Sequence, residues 1–248
     1  MAYENLAFAY DGLTTDVDYG AVLDFFEEIV EKEKLQVDSV LDLACGTGSM
    51  SFLLAKKGYR VLAADISEEM LTVAMQKAGE LPEDIAPPFF ICQPMQRLRL
   101  PYGVDAVCCF LDSLNYVTEP KDCRAAMERV YKALNPGGIF FFDINSPFKL
   151  RGLDGQVFLD ENPESYCVWR AEFDKEENIC YYGIDLFRKA GKLWERSFEQ
   201  HCEYAYEPEE LTRWLKEAGF ARVELYADRK AEAPGAEELR IYFAAFKE

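Results

Sequence analysis

Two glycines one residue apart, Gly46 and Gly48, stand between a short apolar run and an apolar helix-like stretch. The segment reads Val40-Leu41-Asp42-Leu43-Ala44-Cys45-Gly46-Thr47-Gly48-Ser49. Glycine lacks a Cβ, so backbone can turn tightly there and come close to a ligand. Asp65 lies 19 residues after Gly46, at the end of the next apolar run, Tyr59 to Ala64. In a right-handed βαβ unit neighbouring strand tips lie side by side, so the loop and the acid face one ligand. A carboxylate at that point suits the two hydroxyls of a ribose. The implied chemistry is binding of a nucleoside cofactor.

Two such cofactors fit, a nicotinamide dinucleotide and one that carries a cationic sulfonium. A dinucleotide fingerprint needs Gly-x-Gly-x-x-Gly, with the last glycine letting the helix pack close to the pyrophosphate. Counted from Gly46, that last position is Ser51. Asp42 inside the first strand is also awkward beside a pyrophosphate but reasonable beside a sulfonium or an ammonium. On these residues the chain resembles the class I S-adenosylmethionine-dependent methyltransferases. Their first motif has the core Leu-Asp-x-x-x-Gly-x-Gly, matched by Leu41, Asp42, Gly46 and Gly48. An NAD-type oxidoreductase and a non-catalytic S-adenosylmethionine-binding protein remain the alternatives.

The resemblance implies S-adenosyl-L-methionine as cofactor and gives roles to further residues. Backbone around Ala44, Cys45, Gly46 and Gly48 would hold its methionine part, Asp65 its ribose, and Ile66 would lie against adenine. The third strand tip of the family supplies an acid to the adenine amino group, whereas this chain has Gln93-Pro94-Met95. The Gln93 carbonyl oxygen is the expected substitute acceptor, with Met95 packed on the ring and Leu111 in the same crevice. The segment Phe8-Ala9-Tyr10-Asp11, with Tyr19, is similar to relatives whose N-terminus closes over the cofactor. A tyrosine face attracts a sulfonium. Helix packing is the alternative role for Tyr19.

Methyl transfer is an in-line displacement, so the protein mainly supplies alignment and a dry site. An amine acceptor must arrive unprotonated, and a hydroxyl needs a base. Candidates follow the fourth and fifth strands, in Leu111-Asp112-Ser113-Leu114-Asn115-Tyr116 and Asp143-Ile144-Asn145. Asp112, Tyr116 and Asn145 are expected to face the methyl group. His201, the one imidazole, stands between Glu199 and Glu203. It reads as a base or substrate-binding residue, or as a half-exposed cross-strand partner.

These residues need a scaffold, and the hydrophobic pattern supplies one. Tyr19, Val22, Leu23, Phe26, Ile29 and Val30 recur at helical spacing, with Asp16 or Asp18 as N-cap. Ser67 caps a further helix, after the one that follows Gly48. Continuously apolar strands at Phe89–Cys92, Val104–Phe110 and Ile139–Asp143 alternate with helices, which indicates a parallel sheet covered on both faces. From about Pro147 to Tyr206 the period drops to two, with turns at Asp174–Asn178 and Lys189–Lys192. Helical spacing returns at Pro208, and strands Val223–Tyr226 and Leu239–Phe246 follow. The expected fold is α/β: a seven-stranded, mostly parallel, doubly wound sheet with a C-terminal antiparallel hairpin. Residues 1–146 and 207–248 form the cofactor domain, and 147–206 an inserted antiparallel β flap over the substrate. Pro136-Gly137-Gly138 before the fifth strand matches a recurrent signature of the same family. A β insertion after that strand is typical of its small-molecule N-methyltransferases, including those acting on amino sugars and glycine. Nitrogen is therefore preferred over oxygen as the acceptor atom.

Composition narrows the partners. The 248 residues carry 27 Lys and Arg against 45 Asp and Glu, a net charge of −18. Such a surface repels phosphate backbones, so nucleic acid is not the expected substrate. No apolar run approaches the length of a membrane span, and the start lacks the pattern of a signal peptide. A small-molecule acceptor, a cytoplasmic location and either a monomer or a homodimer are the expectations. The eight cysteines contain no Cys-x-x-Cys and read as buried thiols, and one histidine excludes a His-rich metal site.

Overall fold

A computed structural model describes residues 17–248, and every count below refers to those residues. Helix α1 (Tyr19–Lys32) starts at Asp18, whose carboxylate accepts the Ala21 N–H at 2.9 Å. The chain then alternates β1 (Ser39–Leu43), α2 (Ser49–Lys56), β2 (Arg60–Asp65), α3 (Glu68–Ala78) and β3 (Phe89–Cys92). Ser67 caps α3, its hydroxyl accepting the Met70 N–H at 3.1 Å. β4 (Val104–Cys109), α4 (Pro120–Ala133) and β5 (Leu134–Asn145) complete the parallel part. β5 is longer than its apolar stretch because the Asn135–Gly138 turn is drawn into the ladder, with a register shift between Val104 and Ala106 of β4.

After β5 the chain leaves the sheet. A short helix, α5 (Pro147–Gly152), comes first, where period-two spacing was expected; the Ser146 hydroxyl caps it by accepting the Lys149 N–H at 3.1 Å. Strands β6 (Val157–Asn162), β7 (Ser165–Asp174), β8 (Ile179–Ala190) and β9 (Leu193–Tyr204) then form a separate antiparallel sheet in chain order. Helix α6 (Pro208–Ala218) returns to the main sheet, and β10 (Arg222–Tyr226) and β11 (Arg240–Phe246) end the fold.

The main sheet has the order β10-β11-β5-β4-β1-β2-β3. β11 runs antiparallel to both of its neighbours, while β5, β4, β1, β2 and β3 pair in parallel. The alternation of Phe140, Phe141 and Phe142 sends side chains to opposite faces. Phe141 packs with Phe26 and Ile29 of α1 and Leu54 of α2; Phe140 and Phe142 pack with Met127 of α4 and Leu215 of α6. Burial of both faces is what made the central strands continuously apolar; the edge strand β3, with Phe89 66% exposed, is apolar without it. The chain crosses to β2 on one side of β1 and to β4 on the other, so a crevice opens beyond their carboxyl ends.

Candidate active site

That crevice encloses about 400 Å³, within the range of small-molecule sites. Its floor is the turn after β1. Gly46 has φ +54°, and a Cβ there would meet nothing within 4 Å, so the turn is open toward the crevice. Gly48 has φ +80°, and a Cβ would come within 3.0 Å of the Phe52 ring. The two glycines thus do different work: one keeps the floor open, the other leaves room for the Phe52 ring and for Ala74 of α3.

Asp65 ties this turn to the tip of β2. One carboxylate oxygen accepts the Gly46 N–H and the other the Ser67 N–H, each at 2.8 Å. Burial raises its pKa, against the lowering effect of those backbone donors. A carboxylate offers about four lone-pair sites, so acceptor capacity remains after both bonds. Asp42 is buried beside it and accepts the Ser51 hydroxyl at 2.5 Å. Burial, reinforced by the nearby Asp65, pushes the Asp42 pKa up to about 7. Ser51, the residue at the third position of the glycine count, is therefore a partner of Asp42.

Tyr19, Ala44, Cys45, Gln93, Met95 and Leu111 all reach this wall. Ile66 does too, and at 57% exposure it presents an apolar side chain at a strand tip, a platform for a flat ring. Gln93 departs from expectation. Its carbonyl oxygen accepts the Arg99 N–H at 2.9 Å and its amide donates to the Arg99 carbonyl at 3.3 Å. This pair of bonds closes the loop after β3 and claims the oxygen that was expected to take the adenine amino group. Tyr10 lies outside the described residues.

Of the four expected catalytic residues, Tyr116 lines the crevice and the other three lie outside its wall. Asp112 directs its carboxylate to Arg240 at 2.7 Å. Asn145 donates to Glu203 at 2.7 Å and accepts from the Lys149 ammonium at 2.8 Å. His201 is buried rather than half-exposed, with Nε2 3.1 Å from a Glu199 oxygen. Its ring meets Tyr116 and Trp169 edge to face, at 5.8 and 6.3 Å between centroids. His201 and Trp169 form a layer behind Tyr116, at the seam between the two sheets.

Asn115 fastens that seam. It is fully buried; its amide donates to the Tyr204 and Asn145 carbonyls at 2.9 and 3.1 Å, and its oxygen accepts the Asn145 N–H at 3.1 Å. The tips of β4, β5 and β9 therefore meet at one side chain. Glu203 sits beside it, 3% exposed. Burial first, and then the neighbouring Asp112 charge, raises its pKa well above the usual carboxylate range. Sequence reasoning did not single out Asn115, Glu203 or Arg240 as site residues. An arginine opening an otherwise apolar strand was the one available signal.

Residues 40–138 match the methyltransferase-domain family. Over its whole length the chain is 32% identical to a protein of Geobacillus sp. (strain WCH70) whose methyltransferase name is provisional, with all of that protein covered. It is 27% identical to the glycine/sarcosine N-methyltransferase of Halorhodospira halochloris, over 84% of this chain and 74% of that one. The fold matches the crystal structure of an S-adenosylmethionine-dependent methyltransferase from Clostridium acetobutylicum ATCC 824. The TM-score there is 0.87 at 30% identity, over 100% of this chain and 99% of the other.

Proposed function

Because this chain belongs to the class I S-adenosylmethionine-dependent methyltransferases, we propose that it methylates a small-molecule amine under its inserted β sheet. The nicotinamide alternative falls with the family, and Ser51 in place of a third glycine agrees. S-adenosylmethionine supplies a methyl carbon bonded to positively charged sulfur, and transfer leaves neutral S-adenosylhomocysteine.

The crevice residues fit that cofactor by their chemistry. Asp65 keeps acceptor capacity for ribose hydroxyls, and Ile66, Met95 and Leu111 supply apolar walls for a purine. Asp42, buried and unmatched by a cationic side chain among its hydrogen-bond partners, suits a positively charged group nearby. Such a group stabilises the ionised carboxylate that burial disfavours.

Glu203 carries the choice of nitrogen. Three acids, Asp112, Asp143 and Glu203, gather at the β4 and β5 tips against two cations, Arg240 and Lys149. Burial raises the proton affinity of both Asp143 and Glu203, but Asp143 is paired with Arg240 whereas Glu203 is held by the neutral Asn145. When Glu203 is ionised the cluster holds one negative charge in excess, which an incoming ammonium complements, and a carboxylate of raised pKa is then matched to accept its proton. Glu203 lies behind the crevice wall, so the amine would enter between Tyr116 and the flap and pass its proton to Glu203 through a water, leaving its lone pair free. A neutral hydroxyl acceptor gains nothing from the charge.

The test compares a panel of small amines with their hydroxyl analogues, following release of S-adenosylhomocysteine. Amines should be turned over, and Glu203→Gln should lower their kcat/KM about a hundredfold, the order of general-base catalysis, with cofactor affinity retained. Preference for the hydroxyl analogues, or unchanged amine turnover in Glu203→Gln, would contradict the proposal.

A further inference from the structure

Leu111 and Asp112 are consecutive non-glycine residues in left-handed backbone, with φ +55° and +53°. That conformation crowds Cβ against the following carbonyl oxygen, so an L-residue adopts it only when something else requires it. Leucine has no polar side chain to compensate locally. The pair stands where the chain leaves β4 and turns across the crevice, and Leu111, Ser113 and Tyr116 all reach the wall. Whatever holds this turn sets three lining residues at once.

Asp143, on β5, holds it. One of its oxygens accepts the Leu111 N–H at 2.8 Å and the other the Asp112 N–H at 2.9 Å. Two successive backbone donors on the two oxygens of one carboxylate restrict the turn to a narrow range of backbone angles. Asp143 is 0% exposed, and burial raises its pKa while Arg240 opposes the rise. Arg240 opens β11 directly opposite Asn145 in the ladder, so the sheet register delivers its guanidinium to this point. It hydrogen-bonds Asp143, reaches Asp112 at 2.7 Å and Asn145 at 3.2 Å. The planar fork of arginine can serve several oxygens together, which an ammonium cannot do with the same geometry.

We infer that Asp143 and Arg240 are positioning residues for methyl transfer: the buried pair locks the Leu111–Asp112 turn in its left-handed form and thereby aims Leu111 and Tyr116 into the crevice. The lock rests on family membership and on this geometry, and it holds whichever acceptor atom is methylated. It also assigns Asp112 to the scaffold of the site instead of to the base.

Asp143→Asn tests it, because the amide keeps the shape but presents a donor to one of the two N–H groups. The variant should fold, and its apparent affinity for S-adenosylhomocysteine should fall about tenfold or more as the turn populates other conformations. Turnover should fall with it. Glycine at position 112 adopts positive φ without penalty. Adding Asp112→Gly should therefore restore part of the lost affinity, although Asp112→Gly in the wild-type background gives no gain. A purely packing role predicts no such rescue. Should Asp143→Asn fail to fold, Arg240→Lys takes its place, with a several-fold loss that Asp112→Gly again reduces. Wild-type affinity and turnover in the folded variant, or losses that the glycine leaves unchanged, would overturn the inference.

Discussion

Gly46 and Asp65, 19 positions apart in the chain, are joined by a 2.8 Å hydrogen bond from the glycine N–H to the carboxylate. The acid that suits a ribose is thus also the clip that shapes the loop beneath it. Asp65→Ala should weaken S-adenosylmethionine binding by about 1.5–3 kcal/mol, the order for loss of a charged hydrogen-bonding partner. The melting temperature should fall as well, because the Gly46 and Ser67 amides lose their acceptor. Calorimetry and thermal melts check both. Unchanged affinity would take the carboxylate off the ribose.

Asp42 makes the stability of the unliganded protein depend on pH. Its folded pKa of about 7 lies above the ordinary 3.8. The folded state therefore holds this proton more tightly than the unfolded chain does. The associated stability is fully present below the ordinary value and is lost as pH rises through about 7. Asp42→Asn should melt higher than wild type at about pH 8 and close to it at about pH 3 and below, where the wild-type side chain is largely protonated in both states. A difference that does not change with pH would show that Asp42 is ionised when buried.

The paired glycines should separate in their effects. Alanine at 48 puts a Cβ 3.0 Å from the Phe52 ring and 3.3 Å from the Ala74 Cβ, at φ +80°. Overpacking plus left-handed strain should destabilise Gly48→Ala by about 1–3 kcal/mol in denaturant titrations. Gly46→Ala meets open space, so its loss should be confined to the backbone term and appear chiefly in cofactor affinity. Equal loss of stability in both would argue against tight packing of Phe52 and Ala74 around Gly48.

Much of this was legible beforehand, for physical reasons. The strands show as unbroken apolar runs because helices cover both sheet faces, and Gly46, Gly48 and Asp65 are local signals of the turn they build. Side-chain pairings across strand tips are another matter. Arg240 reaches Asp143 over 97 positions only through the register of β11 on β5, which no local pattern encodes. Gln93 looked available because its partner, the Arg99 backbone, depends on how the loop after β3 closes. His201 alternates with polar neighbours as a half-exposed residue would, yet the two sheets meet over it.

His201 and Tyr116 should behave differently although their rings touch. Tyr116 is in the crevice wall, and His201 lies behind it on Glu199. Tyr116→Ala should lower both S-adenosylmethionine affinity and turnover. His201→Ala should lower acceptor affinity or turnover while cofactor affinity holds. Binding of cofactor and acceptor is measured separately for each variant. Equal loss of cofactor binding in His201→Ala, or no effect on either, would remove the imidazole from the site.

Transfer of a methyl group from S-adenosylmethionine to nitrogen leaves a product that can be identified by its methyl carbon. The most direct measurement uses cofactor carrying a ¹³C-labelled methyl group, an acceptor pool of small metabolites, and carbon NMR of the products. Stoichiometric S-adenosylhomocysteine and a new labelled methyl resonance in the N-methyl region should appear, forming about a hundredfold more slowly in Glu203→Gln. A labelled O-methyl product, or cofactor recovered unchanged from every acceptor offered, would contradict transfer to nitrogen.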